Sequence, residues 1–147
     1  MFNKKISIAS DHNGYDLKQE IIKHLSSGTF GDYEVIDLGP ENKERVDYPE
    51  YAAAVSESIT DEIADIGILI CGTGTGMAMA ANRNSDIRAA LCTSTTIAKF
   101  ARKHNDANIL VLGARMLESE NAIKILEVFL TEKFDGGKHL SRLKKYS

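Results

Sequence analysis

The chain has 147 residues, of which 43% are hydrophobic and 27% are charged, and its formal net charge is -3. These proportions are typical of a globular protein, and the length predicts one domain, residues 1–147. The acidic balance argues against nucleic acid as a partner, because such binding needs a basic field facing the phosphates. No apolar run approaches the roughly 18 residues of a membrane span or resembles an export signal, so we expect a cytoplasmic protein that does not enter membranes.

Short apolar runs alternate with longer segments of helical period, which predicts βαβ units and an α/β fold with a parallel sheet covered on both faces. Five strands are predicted, at residues 5–10, 34–38, 66–71, 89–92 and 109–112. Four helical stripes are expected to face the core: Leu17, Ile21 and Leu25; Ala52, Val55 and Ile59; Ile97, Phe100 and Ala101; and Ala122, Leu126 and Phe129. A short basic helix is predicted after Gly136 and Gly137.

Ligands of open α/β sheets bind beyond the carboxyl ends of the strands, so the residues that follow each strand are candidate functional residues. Asp11 and His12 follow the first strand, the run CGTGTG occupies residues 71–76 after the third, and Arg115 follows the fifth. The glycine-rich run leads into a helix, whose free N–H groups favour an anion. Its spacing differs from the dinucleotide fingerprint, and no acidic residue follows about 20 positions later, so a dinucleotide is disfavoured.

The two cysteines differ in their surroundings along the chain. We expect both Cys71 and Cys92 to be free thiols, because structural disulfides are rare in a reducing compartment. Cys71 directly precedes the glycine amides, which stabilise a thiolate and favour its use as a base or nucleophile over a purely buried role. Cys92 has no such loop beside it and is expected to be a small buried side chain.

Several polar candidates have a simple structural explanation as well as a chemical one. His104 ends the fourth predicted helix, and capping is the simpler explanation for a lone histidine there. Asp11 is a preferred helix N-cap, so its chemical role and that of His12 stay open. The basic cluster of Lys138, His139, Arg142, Lys144 and Lys145 is either a solvated surface or a phosphate site.

Six ordered motifs together resemble ribose-5-phosphate isomerase type B and the wider ribose/galactose isomerase family: Asp11-His12, Asp47-Tyr48-Pro49, CGTGTG, His104-Asn105-Asp106, Gly113-Ala114-Arg115, and Gly136-Gly137-Lys138-His139 with Arg142. The resemblance extends over nearly the whole chain. It implies a single Rossmann-like α/β/α sandwich that works without metal or cofactor. It also implies a homodimer or tetramer with the active site at the subunit interface, towards which the segment of about residues 136–147 would reach.

The resemblance implies that the chain interconverts ribose 5-phosphate and ribulose 5-phosphate, a step of the pentose phosphate pathway, through a cis-enediolate. Cys71 would be the base, Thr73 and the glycine amides would stabilise the oxyanion, and His104, helped by Asp11, would open the furanose ring. The implied substrate-binding residues are His12, Tyr48, Gly72, Gly74, Thr75, Gly76, Asn105, Arg115, Lys138 and Arg142.

Within the implied site, His12, Arg115, Lys138 and Arg142 would hold the phosphate, with part of this set contributed by the adjacent subunit. Lys138 stands where the family usually has an arginine, which fits phosphate oxygens bidentately while an ammonium does not. Met77 stands where one branch of these enzymes has a glutamate base, which strengthens the assignment of Cys71.

Two alternatives stay open at this point. One is a galactose-6-phosphate or allose-6-phosphate isomerase with the same mechanism, because the sequence says little about the depth of the pocket between the reactive carbon and the phosphate. The other is a non-catalytic nucleotide- or phosphate-binding module, which the missing acidic partner of the glycine loop disfavours. Some galactose-6-phosphate isomerase subunits lack the cysteine or the histidine, whereas this chain has both.

Overall fold

Five strands form one parallel sheet: β1 (Lys4–Ser10), β2 (Tyr33–Asp37), β3 (Ile66–Cys71), β4 (Ala89–Leu91) and β5 (Ile109–Gly113). Their order across the sheet is β2-β1-β3-β5-β4. The computed structural model describes residues 4–146, and the remaining residues of the predicted domain 1–147, the first three and Ser147, lie outside the described part. The predicted α/β fold is confirmed, and the ends of all five strands differ from the predicted ends by no more than one residue.

Six helices connect and follow the strands: α1 (Tyr15–Ser26), α2 (Tyr48–Thr60), α3 (Thr75–Ala81), α4 (Thr95–Lys103), α5 (Ser119–Thr131) and α6 (Lys138–Leu143). Helices α1, α4 and α5 pack on one face of the sheet, whereas α2 and α3 pack on the other. Alternate side chains of β3 pack into the two layers of helices: Ile68 and Ile70 face α1, and Leu69 and Cys71 face α2. None of the helices within residues 4–146 has the length and apolar character needed to cross a membrane.

One predicted stripe is wrong. On α4, Ile97 and Phe100 are 44% and 42% exposed, and the buried residues of this helix are Ala98 and Ala101. The helix lies close to the sheet on its small alanine side chains, so its larger apolar residues point away from the core. They leave an apolar surface on the outside of the molecule.

Parallel topology gives the sheet two chemically different edges. Each strand of a parallel sheet must be followed by a crossover that brings the chain back to the edge where the next strand begins. We call the side of the sheet where the strands end the carboxyl edge, and the side where they begin the amino edge. The carboxyl edge therefore holds the turns after β1, β3 and β5, whereas the amino edge holds the ends of the helices. Helix α4 starts at its N-cap Ser94, next to the end of β4, and ends at His104, shortly before the start of β5.

Lys18 ties α1 to the segment after β2. Its side chain is completely buried, and its Nζ lies 2.7 Å from Asp37 Oδ1 and 2.7 Å from the carbonyl oxygen of Pro40. A buried ammonium needs such partners, because loss of its hydration without them would destabilise the folded state by several kcal/mol. The pair holds the start of the segment that leads to Tyr48 against the first helix.

We expect Lys18→Met to lower the free energy of unfolding by about 1–3 kcal/mol, because the Pro40 carbonyl loses its donor. The loss stays moderate because the Asp37 side chain is 42% exposed, so water can solvate its carboxylate. Urea denaturation measures the change. Lys23→Met, on the exposed face of the same helix, is the matched control and should change stability by no more than about 0.5 kcal/mol. Equal effects of the two substitutions would contradict this account.

Candidate active site

Main-chain hydrogen bonds lock the three turns of the carboxyl edge together. The N–H of Asp11 donates to the carbonyl oxygen of Ile70 at 3.0 Å, and the N–H of Ala114 donates to that of Cys71 at 2.8 Å. The N–H of Arg115 donates to the carbonyl oxygen of Gly72 at 2.9 Å. The candidate residues that follow β1, β3 and β5 are thus held close together on a rigid frame.

The carboxylate of Asp11 has a clear structural role. Its Oδ1 accepts hydrogen bonds from the N–H groups of Asn13 at 2.9 Å and Gly14 at 3.0 Å. It caps the turn before α1, whose N-cap residue is Gly14 and not Asp11. The second oxygen, Oδ2, has only a long contact of 3.5 Å with Asn13 Nδ2. One carboxylate oxygen is therefore used by the fold, and the other is available to a ligand.

His12 and Arg115 present nitrogen donors at the same edge. His12 Nδ1 accepts a hydrogen bond from the N–H of Val46 at 3.3 Å, which leaves the proton of a neutral ring on Nε2. Arg115 is exposed, and its Nη2 donates to Asn13 Oδ1 at 3.0 Å. Sequence reasoning missed Asn13 as a site residue, although its place directly after His12 was a usable signal. A cleft of about 480 Å³ lies beside Asp11, His12 and Tyr48.

The glycine-rich loop wraps its own backbone around the sulfur of Cys71. Gly74 has a φ of 85°, in the left-handed region, and its N–H donates to Cys71 Sγ at 3.2 Å. A Cβ on Gly74 would lie 2.5 Å from Leu91 Cδ1 and 3.2 Å from the main-chain carbonyl carbon of Leu112, so this position favours glycine by its space as well as by its φ. Cys71 is 5% exposed. The loop thus aims a backbone donor at the sulfur of the candidate base.

The loop amides do not all stay free for a ligand. The N–H of Gly74 is bonded to sulfur, and the N–H of Thr75 donates to Thr73 Oγ1 at 3.3 Å. Among hydrogen bonds within residues 4–146, the N–H groups of Gly72, Thr73 and Gly76 are not donors. A developing oxyanion has these three amides available rather than the whole run from 72 to 76.

Tyr48 covers the loop from the side of α2. A Cβ on Gly76 would lie 2.6 Å from Tyr48 Cζ, so the glycine allows the phenol ring to rest directly on the first turn of α3. Tyr48 is 39% exposed and also borders the cleft beside His12. The structure thus places Tyr48 at the carboxyl edge, beside the glycine loop.

The other four predicted site residues lie at the amino edge: His104, Asn105, Lys138 and Arg142. His104 is the C-cap of α4, and its N–H donates to the carbonyl oxygen of Phe100 at 2.8 Å. Asn105 Nδ2 donates to Tyr146 Oη at 3.3 Å, and Lys138 and Arg142 belong to the adjacent α6. The ring of His104 lies 4.8 Å from the ring of Phe100 and 4.2 Å from that of His139, measured between centroids.

The predicted site is therefore divided between two edges of one chain. Strand β3 has six residues, so at about 3.3 Å per residue the two edges lie roughly 17 Å apart. Within one chain, Asp11 does not assist His104, and His12 and Arg115 do not share a phosphate with Lys138 and Arg142. The resemblance implied residues from two subunits without saying which, and the direction of α4 shows which residues lie at each edge.

The second cysteine is chemically inert by comparison. Cys92 is completely buried, and burial raises the pKa of its thiol to about 12. Both cysteines are free thiols, as predicted. Only Cys71 combines a position at the carboxyl edge with a donor to its sulfur.

One group of side chains has the composition of a metal site without the geometry. Ligand atoms of His104, Asp135 and His139 lie within 4.8 Å of one another. The two imidazole planes are stacked at 13°, so their in-plane lone pairs run nearly parallel instead of meeting at one point. Lys103 Nζ also lies 4.0 Å from Asp135. This arrangement suits mutual contact of the rings better than coordination of a cation.

Comparison with known proteins decides the family. The sequence profile of the family described as Ribose/Galactose Isomerase matches residues 6–146. The chain belongs to this family. Ribose-5-phosphate isomerase B of Escherichia coli (strain K12) is 42% identical over 140 residues, which cover 95% of this chain and 92% of that protein. The chain is thus a sugar-phosphate isomerase, an enzyme that performs an intramolecular oxidation and reduction.

Solved structures of the family are closely similar to this isomerase. A ribose 5-phosphate isomerase from Thermotoga maritima has a TM-score of 0.94 and 48% identity, covering 99% of this chain and 98% of that chain. Ribose-5-phosphate isomerase B from Mycoplasma genitalium, with bound ribulose-5-phosphate, has a TM-score of 0.89 and 42% identity, covering 96% and 92% of the respective chains. The Rossmann-like architecture predicted for the isomerase is confirmed.

We expect Gly74→Ala to lower the free energy of unfolding of the isomerase by about 3 kcal/mol, from backbone strain at positive φ and overlap with Leu91. Gly136→Ala is the matched control, because Gly136 also has positive φ, 68°, but nothing lies within 4 Å of its Cβ position. It should cost about 1 kcal/mol from strain alone. Urea denaturation of both variants measures the difference, and equal costs would show that packing around Gly74 is unimportant.

Proposed function

We propose that this isomerase interconverts ribose 5-phosphate and ribulose 5-phosphate through a cis-enediolate, with Cys71 as the base. The observation that supports this most directly is the hydrogen bond from the N–H of Gly74 to Cys71 Sγ, 3.2 Å long, at the carboxyl edge of the sheet. The relatives named ribose-5-phosphate isomerase B, one of them with bound ribulose-5-phosphate, support the choice of a pentose phosphate.

In the proposed reaction, the thiolate of Cys71 removes the proton from C2 of the open-chain aldose. The electrons of the C2–H bond form the C1–C2 double bond, and the carbonyl oxygen on C1 becomes an oxyanion. Transfer of the C2 hydroxyl proton to the C1 oxyanion and return of the proton from Cys71 to C1 give the ketose and restore the thiolate. The free N–H groups of Gly72, Thr73 and Gly76 are the available donors to the oxyanion, and one such donor is commonly worth about 10² to 10³ in rate.

Phosphate binding at the carboxyl edge would use His12 and Arg115. His12 presents Nε2–H once Nδ1 is bonded to Val46, and the exposed guanidinium of Arg115 offers a planar pair of donors. Asn13 holds that guanidinium next to Gly72. The phosphate would thus lie near the glycine loop, with Tyr48 covering the opposite side.

A second copy of the chain would complete the site, since one chain holds its ring-opening histidine at the wrong edge. The surface around His104 has the properties of an interface: Ile97, Phe100 and Leu140 are large apolar residues with exposures of 44%, 42% and 45%. A homodimer, or a tetramer built from such dimers, would bring His104, Asn105, Lys138 and Arg142 of one copy to the carboxyl edge of the other.

Ring opening would then involve both copies. His104 of one copy would donate a proton to the ring oxygen O4, and the C1–O4 bond would break. Asp11 of the other copy would accept the proton of the C1 hydroxyl on Oδ2, the oxygen that the fold leaves available. The product is the open-chain aldehyde, in contact with the base. An imidazole suits this step because it gains and loses protons near neutral pH.

We expect Cys71→Ala to lower kcat/KM for ribose 5-phosphate by about 10³ or more while the protein stays folded, because general-base catalysis typically contributes 10² to 10⁴. Formation of ribulose 5-phosphate is followed with a metal chelator present. Cys92→Ala is the matched control, because that thiol is buried away from the site, and its kcat/KM should stay within about threefold of the unmodified enzyme. Retention of more than a tenth of the activity by Cys71→Ala would reject the cysteine as base.

Mixed oligomers test the shared site. Cys71→Ala and His104→Ala are each expected to be nearly inactive with ring-closed ribose 5-phosphate. If they are dissociated together and reassociated, half of the dimers contain both variants, and one of the two sites in each mixed dimer is intact. About a quarter of the unmodified activity should return. No recovery, with mixed dimers demonstrated by mass, would mean that both residues act within one chain.

Hexose phosphates are the remaining alternative of the same mechanism. Comparison of kcat/KM for ribose 5-phosphate, allose 6-phosphate and galactose 6-phosphate decides between them, and we expect the pentose phosphate to be favoured by at least about tenfold, a difference of about 1.4 kcal/mol in transition-state binding. The non-catalytic nucleotide-binding module has lost its support, because the chain belongs to a family of isomerases.

A further inference from the structure

His104 lies in contact with two aromatic rings. Its centroid is 4.2 Å from that of His139 with an interplanar angle of 13°, and 4.8 Å from that of Phe100 with an angle of 34°. The His139 contact is the closer and flatter of the two, and it joins α6 to the end of α4. In the proposed reaction, His139 neither binds the substrate nor transfers a proton.

The backbone is built to deliver His139 to this position. The N–H of Asp135 donates to the carbonyl oxygen of Lys103 at 3.0 Å, which anchors the segment before α6 to the end of α4. Gly136 and Gly137 then turn the chain with φ values of 68° and 56°, and the N–H of His139 donates to the carbonyl oxygen of Gly136 at 3.1 Å. At the other end of α6, Tyr146 accepts the hydrogen bond from Asn105. The helix is thus held on both sides of His104.

The charges around His139 favour its neutral form. Desolvation lowers the pKa of His139, and so do the positive charges of three neighbours: His104, Lys138 and Arg142. The carboxylate of Asp135 acts in the opposite direction but is itself 4.0 Å from Lys103 Nζ. A neutral imidazole presents an aromatic face, and a cation next to such a face is stabilised, whereas two stacked imidazolium rings repel each other.

We propose that His139 is a positioning residue for ring opening: its neutral ring stacks on His104 and holds the protonated imidazole in the orientation that delivers a proton to the sugar ring oxygen. The inference rests on the proposed role of His104 as the proton donor. His139 itself touches neither substrate nor reacting atoms in this scheme. The contact would matter for ring-closed sugars only, because an open-chain substrate needs no proton from His104.

Two substitutions separate stacking from titration. His139→Phe keeps an aromatic ring that never becomes charged, whereas His139→Gln keeps a polar side chain but loses the ring. The measured quantity is the ratio of kcat/KM for ring-closed ribose 5-phosphate to kcat/KM for erythrose 4-phosphate, an aldose that cannot form a furanose because its 4-hydroxyl is phosphorylated. The two aldoses give different products, so the equilibrium constant of a single reaction does not fix this ratio. Both substrates share the base and a phosphate, so changes in folding or in phosphate binding largely cancel in the ratio.

We expect His139→Gln to lower this ratio about tenfold at all pH values, and His104→Ala to lower it further. His139→Phe should keep the ratio of the unmodified enzyme at neutral pH. Below about pH 6, under the ordinary histidine pKa of about 6.5, protonation of His139 should lower the ratio for the unmodified enzyme, while His139→Phe resists this decline. His24→Gln, a half-buried histidine on α1, is the matched control and should leave the ratio unchanged at every pH.

A normal ratio in His139→Gln, or a ratio in His139→Phe as low as that in His139→Gln, would overturn the positioning role. A lack of any turnover of ribose 5-phosphate by the unmodified protein would instead reject the proposed function. In that case, NMR titration of the His104 ring in the unmodified protein and in His139→Phe still tests the pair. Two coupled steps that become one in His139→Phe support the contact, and identical curves contradict it.

Discussion

The direction of the helices in a parallel sheet is the constraint on which the chemistry of this isomerase depends. Each crossover returns the chain to the amino edge before the next strand starts, so residues at the end of a strand and residues at the end of a helix lie on opposite edges. Cys71 belongs to the first class and His104 to the second. A single copy of the chain therefore holds the proposed base and the proposed ring-opening acid about a strand length apart, so the proposed mechanism requires a second copy.

Much of the fold follows from apolar periodicity alone. The strands β3 and β5 are buried on both faces and read as continuous apolar runs, which is why their positions were predicted closely. The stripe on α4 was predicted wrongly, because Ile97 and Phe100 share a face with Ala101 in helical projection, and periodicity does not tell whether large or small residues face the sheet. The exposed apolar pair is available to the second copy that the proposed mechanism requires.

The site residues were predictable to the extent that they follow strands directly. Asp11, His12, Cys71 and Arg115 all come together at the carboxyl edge because strand ends meet there. The uses of individual donors were not predictable from sequence. The Gly74 amide is directed at sulfur and Asn13 holds a guanidinium, and both contacts depend on side-chain and loop positions that only three-dimensional packing defines.

The Gly136-Gly137 turn separates the part of the chain that forms the core from α6, which lies outside the core. The sheet and its two layers of helices are complete before residue 136, and α6 has no buried residue of its own. Substitutions in α6 therefore carry little cost for the core, while they alter the cationic surface that a neighbouring copy would receive. Lys138, which stands where the family usually has an arginine, belongs to this segment, so a substitution there can change the surface charge without disturbing the core.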